Sequence, residues 1–183
     1  QFFQTSAVNF LAACIYFFCN YEKRPYDEHG NEMNFDKTID PETGMIKPTG
    51  IVRDAMGNIT EPAYWLGKYS DMPHILSFLN ESYETIFEVL MTDTEVAPLL
   101  GPFRTAFENK AMEQLEGMIG TLRVFTSRLA TKESYWIFSK DGDDFDLKVS
   151  DPKHPSYLLI ANDPEMESII GALNALILNR LVT

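Results

Sequence analysis

The sequence predicts a mainly α-helical protein: a helical bundle with a few short β-strands and a terminal strand–helix unit. Three observations carry that reading. Apolar residues recur at three and four positions from Met72 to Leu90 and again from Met112 to Leu129. The run from Ala7 to Cys19 is apolar without alternation, and short β-prone runs elsewhere are separated by turn residues. Across 183 residues, 45% hydrophobic and 13% aromatic residues exclude a disordered chain, which could not offset its ordering entropy. Lys+Arg 15 against Asp+Glu 27 leaves a formal charge of −12. That balance argues against broad binding of bare nucleic acid, which needs clustered cations.

The first element spans Ser6 to Tyr21 and is apolar on nearly every face, so it is expected to be enclosed by other elements. Its apolar core is too short for the roughly 20 residues that span a bilayer, and it lacks the flanks of a secretory signal. Cys14 and Cys19 fall on different faces of that helix, so a disulfide between them is not expected and a reducing compartment is. From Glu22 to Pro62 turn formers take over, at Gly30-Asn31, Asp40-Pro41, Thr43-Gly44, Pro48-Thr49-Gly50 and Gly57-Asn58. Asp40 to Ile46 and Asp54 to Ile59 each run acid, turn, glycine, then β-formers, which predicts an irregular excursion with one or two short hairpins.

A helix then runs from Met72 to Leu90, capped by Ser70 or Asp71 with Pro73 in its first turn. A shorter helix covers Glu95 to Leu100, Gly101-Pro102 interrupts it, and another runs from about Phe103 towards Ala111. In the longest run Met112, Leu115, Met118, Ile119, Leu122, Phe125 and Leu129 share one stripe. These helices and their short connections predict a compact bundle. Three β-prone runs follow, Ser134–Phe138, Phe145–Val149 and Tyr157–Ile160, the last read as a strand buried on both faces. Asn162-Asp163-Pro164-Glu165 opens a closing helix whose stripe is Met166, Ile169, Ile170, Leu173, Leu176, Ile177 and Leu181. The chain starts without methionine and stops inside that apolar pattern, so it reads as a piece of a longer protein.

Few residues carry recognisable chemistry. There is no G-x-x-x-x-G-K-[ST] loop, G-x-S-x-G elbow, H-E-x-x-H pair or C-x-x-C. His29, His74 and His154 are isolated in sequence. The acidic turn Asp141, Asp143, Asp144 and Asp146 is best read as a solvated turn, because Phe145 stands where a calcium loop needs an oxygen ligand. A small metal-dependent hydrolase using that turn with His154 is the enzyme-class alternative. Gln114, Gly117, Gly120 and Thr121 interrupt the long helix, as a close helix approach or as a contact surface for a partner. Arg123, Arg128 and Lys132 form the basic concentration near it, a weak anion-binding signal.

The run Glu113–Arg123, then Thr126–Ala130, then Tyr135–Phe138 closely resembles the TraG-type coupling proteins of conjugative type IV secretion, in the forms carried on Bacteroidetes conjugative elements. Tyr69–Ile75, Pro102-Phe103 with Ala106 and Phe107, and Ile160–Pro164 followed by Gly171-Ala172-Leu173 add to the likeness. It covers nearly the whole chain except Glu22–Pro62. Such proteins are membrane-anchored hexameric ATPases that hand a relaxase–DNA complex to the secretion channel. The resemblance implies a stretch between the Walker A and Walker B motifs of an incomplete RecA-like α/β motor: residues 1–21 a motor helix, 22–62 the excursion, 63–132 the inserted all-α domain, and 133–183 returning strands and helix. It implies a cytoplasmic, non-catalytic substrate-recognition region, with ATP and Mg bound by the parent protein only and a membrane anchor elsewhere in it. The implied partners are a relaxase or relaxosome protein, with DNA reached through a local basic patch and a homo-hexamer in the parent. Gln114, Gly117, Thr121, Arg123, Arg128 and Lys132 are the candidate partner-binding residues. A purely structural role in hexamer scaffolding is the remaining alternative.

Overall fold

A computed structural model describes residues 2–139, 152, 153, 155 and 157–182. Helix α1 (Phe2–Asn20) leads into five short strands: β1 (Arg24–Tyr26), β2 (Asn34–Ile39), β3 (Ile46–Arg53), β4 (Ile59–Thr60) and β5 (Tyr64–Leu66). Helices α2 (Met72–Leu79), α3 (Tyr83–Leu90), α4 (Gly101–Glu108), α5 (Met112–Ser127), α6 (Lys132–Phe138) and α7 (Glu167–Val182) follow. Short 3₁₀ turns at Ala97–Leu100 and Pro164–Met166 precede α4 and α7. The chain is therefore mainly helical, and every described strand pair is antiparallel. No helix among the described residues is long and apolar enough to cross a membrane.

The core lies where α1 packs against α5 and the α2–α4 segment closes around them. Phe10 sits between Phe103 and Phe87, with ring centroids 5.1 and 6.3 Å away, and Phe87 stacks on Phe107 at 5.0 Å. Such offset and edge contacts add to plain area burial because ring edges are positive and faces negative. The expected enclosure of α1 holds for one side of it. Ala7, Phe10, Ala13, Cys14, Phe17 and Phe18 are buried, whereas Val8, Ala12, Ile15 and Tyr16 are exposed along the opposite stripe. Both cysteines are free, as expected, and burial pushes the Cys14 thiol up to about 12.

The excursion is more regular than its turn-rich composition suggests. β2, β3 and β4 form a three-stranded meander, with Phe35 facing Val52 and Ile39 facing Ile46 across an irregularity between Phe35 and Lys37. β1 and β5 pair with Tyr26 opposite Tyr64, closing the base of the meander, and those two rings stack at 5.5 Å. Three aspartates organise its turns. Asp27 accepts the amides of His29 and Asn31 at 2.9 and 2.8 Å, and Asp54 accepts those of Met56 and Asn58 at 2.9 Å each. Asp40 does the same for Glu42 at 2.8 Å. A carboxylate that replaces the missing ladder partners fixes each reversal locally. The excursion also reaches the core: Met45 is buried in the same cluster as α1 and α3.

The single expected helix over Met72–Leu90 is two helices. Asn80 caps the first, its side-chain amide donating to Leu76 O at 3.1 Å, and Ser82 caps the second by accepting the Thr85 amide at 3.2 Å. Short polar side chains that bond nearby backbone compete with the helix at both positions. Helix α4 begins at Gly101 rather than after Pro102, since proline lacks an N–H and is tolerated in the first turn. α4 ends in a Schellman arrangement, with Ala111 N donating to Ala106 O at 2.9 Å and Lys110 N to Phe107 O at 3.0 Å. Lys110 holds φ +56° there, a left-handed conformation that costs a residue with a Cβ about 1 kcal/mol. Lys110→Gly is therefore expected to raise unfolding stability by up to about 1 kcal/mol in urea titration.

Two expected strands are not strands. Ser134–Phe138 lies within α6, because Thr131 accepts the Ser134 amide at 3.1 Å and Glu133 occupies the first turn. Those start signals outweigh the β-preference of Tyr135-Trp136-Ile137, which is weak without a strand to pair with. Residues Tyr157–Ile160 form no strand, and Tyr157 and Leu159 are exposed rather than buried. The helix expected after them is present: Asp163 accepts the Glu165 amide at 2.9 Å, and Pro164 opens the turn that becomes α7. Phe145–Val149 lies outside the described residues.

Candidate functional site

The residues singled out on α5 do not share one face. At about 100° per residue, Gln114, Gly117, Thr121 and Arg128 fall on one flank of the helix, and Arg123 falls on the other. Between these flanks the core arc is Leu115, Met118, Ile119 and Leu122, all buried. Phe125 and Met112, expected in that stripe, are exposed, with Phe125 at 57%. By α5's last turns the neighbours that cover Leu115 and Leu122 no longer reach across, so Val124 and Phe125 face solvent beside Thr121 and Arg128.

Arg123 is committed within the fold. Its Nε donates to Leu79 O at 2.9 Å and its Nη2 to Glu81 O at 2.7 Å, while the guanidinium lies 4.4 Å from the centroid of the Tyr83 ring. It thus satisfies carbonyls at the α2–α3 break, which a helix end otherwise leaves unpaired. The Tyr83 hydroxyl is buried and makes no well-formed hydrogen bond. Burial, then the Glu116 carboxylate beside it, raises its pKa, and Arg123 opposes that rise. The sequence reading places Arg123 among the partner-binding candidates; the structure gives it these contacts within the fold. A planar five-donor group suits such a two-carbonyl clamp as well as it suits an anion.

Gly120 is not a helix-crossing point. The atoms nearest to a Cβ built there all belong to Glu116, at 2.8 Å and beyond. Thr121 Oγ1 donates back to Gly117 O at 3.4 Å, leaving its methyl on the outer flank. Arg128 is the exposed C-cap of α5, where a cation complements the helix dipole. Lys132 is exposed at the start of α6, whose Trp136 and Ile137 are also exposed, at 83% and 64%. Sequence reasoning missed Val124, Phe125, Trp136 and Ile137. The available signal was four large apolar residues left over once the four-residue core arc of α5 and the Thr131 cap are assigned.

A second polar locus lies where the excursion meets the bundle. A cleft of about 160 Å³ is lined by Lys23, Thr43, Met45, Lys47, Asp93 and Glu95, among others. Lys47 pairs with Asp40, and the Tyr16 hydroxyl donates to Glu95. Asp93 is buried and accepts the Glu95 amide at 2.8 Å. Lys47, followed by the Glu42 amide, holds Asp40 down at about 2. The unfolded carboxyl titrates near 4, so this pairing stabilises the fold above pH ~4 and is lost as pH falls towards 2. Asp27 and Asp54 are lowered by their own turn bonds and act in the same direction. Urea midpoints are expected to hold between pH 7 and 5 and to drop between about pH 4 and 2, with a smaller drop in Lys47→Ala.

Among the described residues no group of three or more His, Cys, Asp or Glu is placed to hold a metal ion. His29 and His74 sit beside Glu28 and Asp71, each within its own turn. The Asp141–Asp146 turn and His154 lie outside the described residues. Comparison of the chain with protein-family models, with curated proteins and with solved structures gave no match.

Proposed function

We propose that this chain is the substrate-recognition region of a TraG-type conjugative coupling protein, docking a relaxase or relaxosome protein through the outer flank of α5 and the start of α6. The observation that carries the reading is the exposed set Val124, Phe125 and Arg128 beside half-buried Gly117 and Thr121, followed by exposed Trp136 and Ile137 on α6. Large apolar side chains exposed on the last turns of α5 and again on α6 suit an interface core ringed by polar groups. The order and spacing of the coupling-protein-like runs support the family. The run of helices from α2 to α5, within residues 63–132, would supply the all-α insertion.

The charge of −12 favours a protein partner with a basic face over DNA, whose phosphates the chain repels. Any DNA contact falls to Arg128 and Lys132. In this reading residues 1–21 and 133–183 belong to the RecA-like motor. ATP, Mg, hexamer contacts and the membrane anchor belong to the parent protein, and this region performs no catalysis. Calorimetry with the relaxase of the same conjugative element tests it. Micromolar binding is expected, weakened at least tenfold by Phe125→Ser or Trp136→Ser, as for a truncated aromatic anchor. A folded chain that binds neither relaxase nor its accessory proteins overturns the reading.

A further inference from the structure

A groove of about 390 Å³ lies between α3 and α4. Phe87, Met91 and Phe107 line its apolar part; Phe87 is buried, and the other two are half-buried. The Phe87 and Phe107 rings are stacked, and Phe87 continues inward to Phe10, so the floor is an extension of the core rather than a loose surface. Glu84, Glu88 and Glu108 stand around it with Arg104. Arg104 Nε donates to Glu108 at 2.6 Å, which leaves Glu84 and Glu88, one helical turn apart on the exposed face of α3, as the net charge of the rim.

We propose that this groove docks a short basic amphipathic segment of a protein partner, with an apolar side chain against Phe107 and Met91 and a lysine or arginine on either side facing Glu84 and Glu88. The apolar floor selects an apolar side chain, and methionine at its edge adapts to the shape of that side chain. The acidic rim attracts cations and disfavours both acidic peptides and nucleic acid. Anchors spaced at helical intervals are the usual way such grooves are read. The proposal stands apart from the α5 flank and does not require the partner to be a relaxase.

The test uses the whole 183-residue chain and a fluorescein-labelled peptide of leucine and lysine in helical spacing, followed by anisotropy. Saturable binding is expected, weakened roughly tenfold in Glu84→Lys/Glu88→Lys at low salt, with that difference shrinking as salt is added. Both glutamates are exposed, so the fold survives the change, and circular dichroism checks it. Glu84→Gln/Glu88→Gln should give an intermediate loss, whereas Phe125→Ser and Arg128→Glu on α5 should leave the peptide's affinity unchanged. Absence of binding, equal binding of the charge-reversed variant, or equal binding of a peptide with glutamate in place of lysine overturns the proposal. Loss of binding in the α5 variants would move the site to that flank and overturn it as well.

Discussion

Gly67→Ala is expected to destabilise the protein by about 3 kcal/mol, the upper end of overpacking costs. A Cβ on Gly67 would lie 1.8 Å from Phe18 O and 2.9 Å from the carbonyl carbons of Phe18 and Cys19. Those atoms are backbone in the last turns of α1, so no side chain can rotate away. Either the segment between β5 and α2 lifts off α1, or the end of α1 unwinds. Lifting would also weaken the Lys68 N–Tyr21 O bond of 3.3 Å and the stacking of Tyr21 with Tyr69 at 6.0 Å. For a domain of this size the loss corresponds to a fall in Tm of roughly 6–12 °C. Gly101→Ala is the matched control, since a Cβ there meets nothing within 4 Å, and a change within about 0.5 kcal/mol is expected. Equal melting of Gly67→Ala and Gly101→Ala would refute the close approach.

Arg123→Ala is expected to cost about 2–3 kcal/mol, from two charge-assisted bonds to backbone carbonyls and a cation–π contact with Tyr83. Arg123→Lys should recover little, because an ammonium at the end of a flexible stem cannot span both carbonyls in one geometry. The loss should appear as earlier exchange of amides in α2 and α3, since Arg123 holds the break between them. At temperatures where the variant remains folded, relaxase binding should be unchanged. That outcome separates a residue of the fold from the exposed flank of α5. Reduced binding at full foldedness would return Arg123 to the docking surface.

The parts of this fold that could be read from sequence are those set by local rules. α1 is visible as an apolar run broken only by Asn9, α2 and α7 as a cap residue followed by proline, and α5 as a stripe at helical spacing. The hairpins announce themselves through Asp40-to-Gly44 and Asp54-to-Gly57. What stayed hidden depends on neighbours far along the chain. Asn80 and Ser82 cap the break locally, but Arg123, more than forty residues on, takes the Leu79 and Glu81 carbonyls there, which no local rule shows. Phe125 matches the α5 stripe by spacing, yet no covering element reaches it. Ser134–Phe138 shows the reverse weighting, with Thr131 three residues before Ser134 outweighing a run of β-formers. The α5 flank proposed for docking shows in sequence as interruptions of pattern, Gly117 and Thr121, whereas Phe125 reads as part of the core stripe and Trp136 and Ile137 as part of a strand.

The pairing of β1 with β5 brings the two strands that bracket the excursion side by side. Everything between Tyr26 and Tyr64 is then a closed loop hung from one ribbon, and changes of length at its exposed tips need not be transmitted to the helices. Residues 28–30 and 55–56 are accordingly places where additional sequence, even a foreign epitope or a small folded module, can be accommodated. The buried Met45 and Val52 mark stretches of that loop where length cannot vary freely.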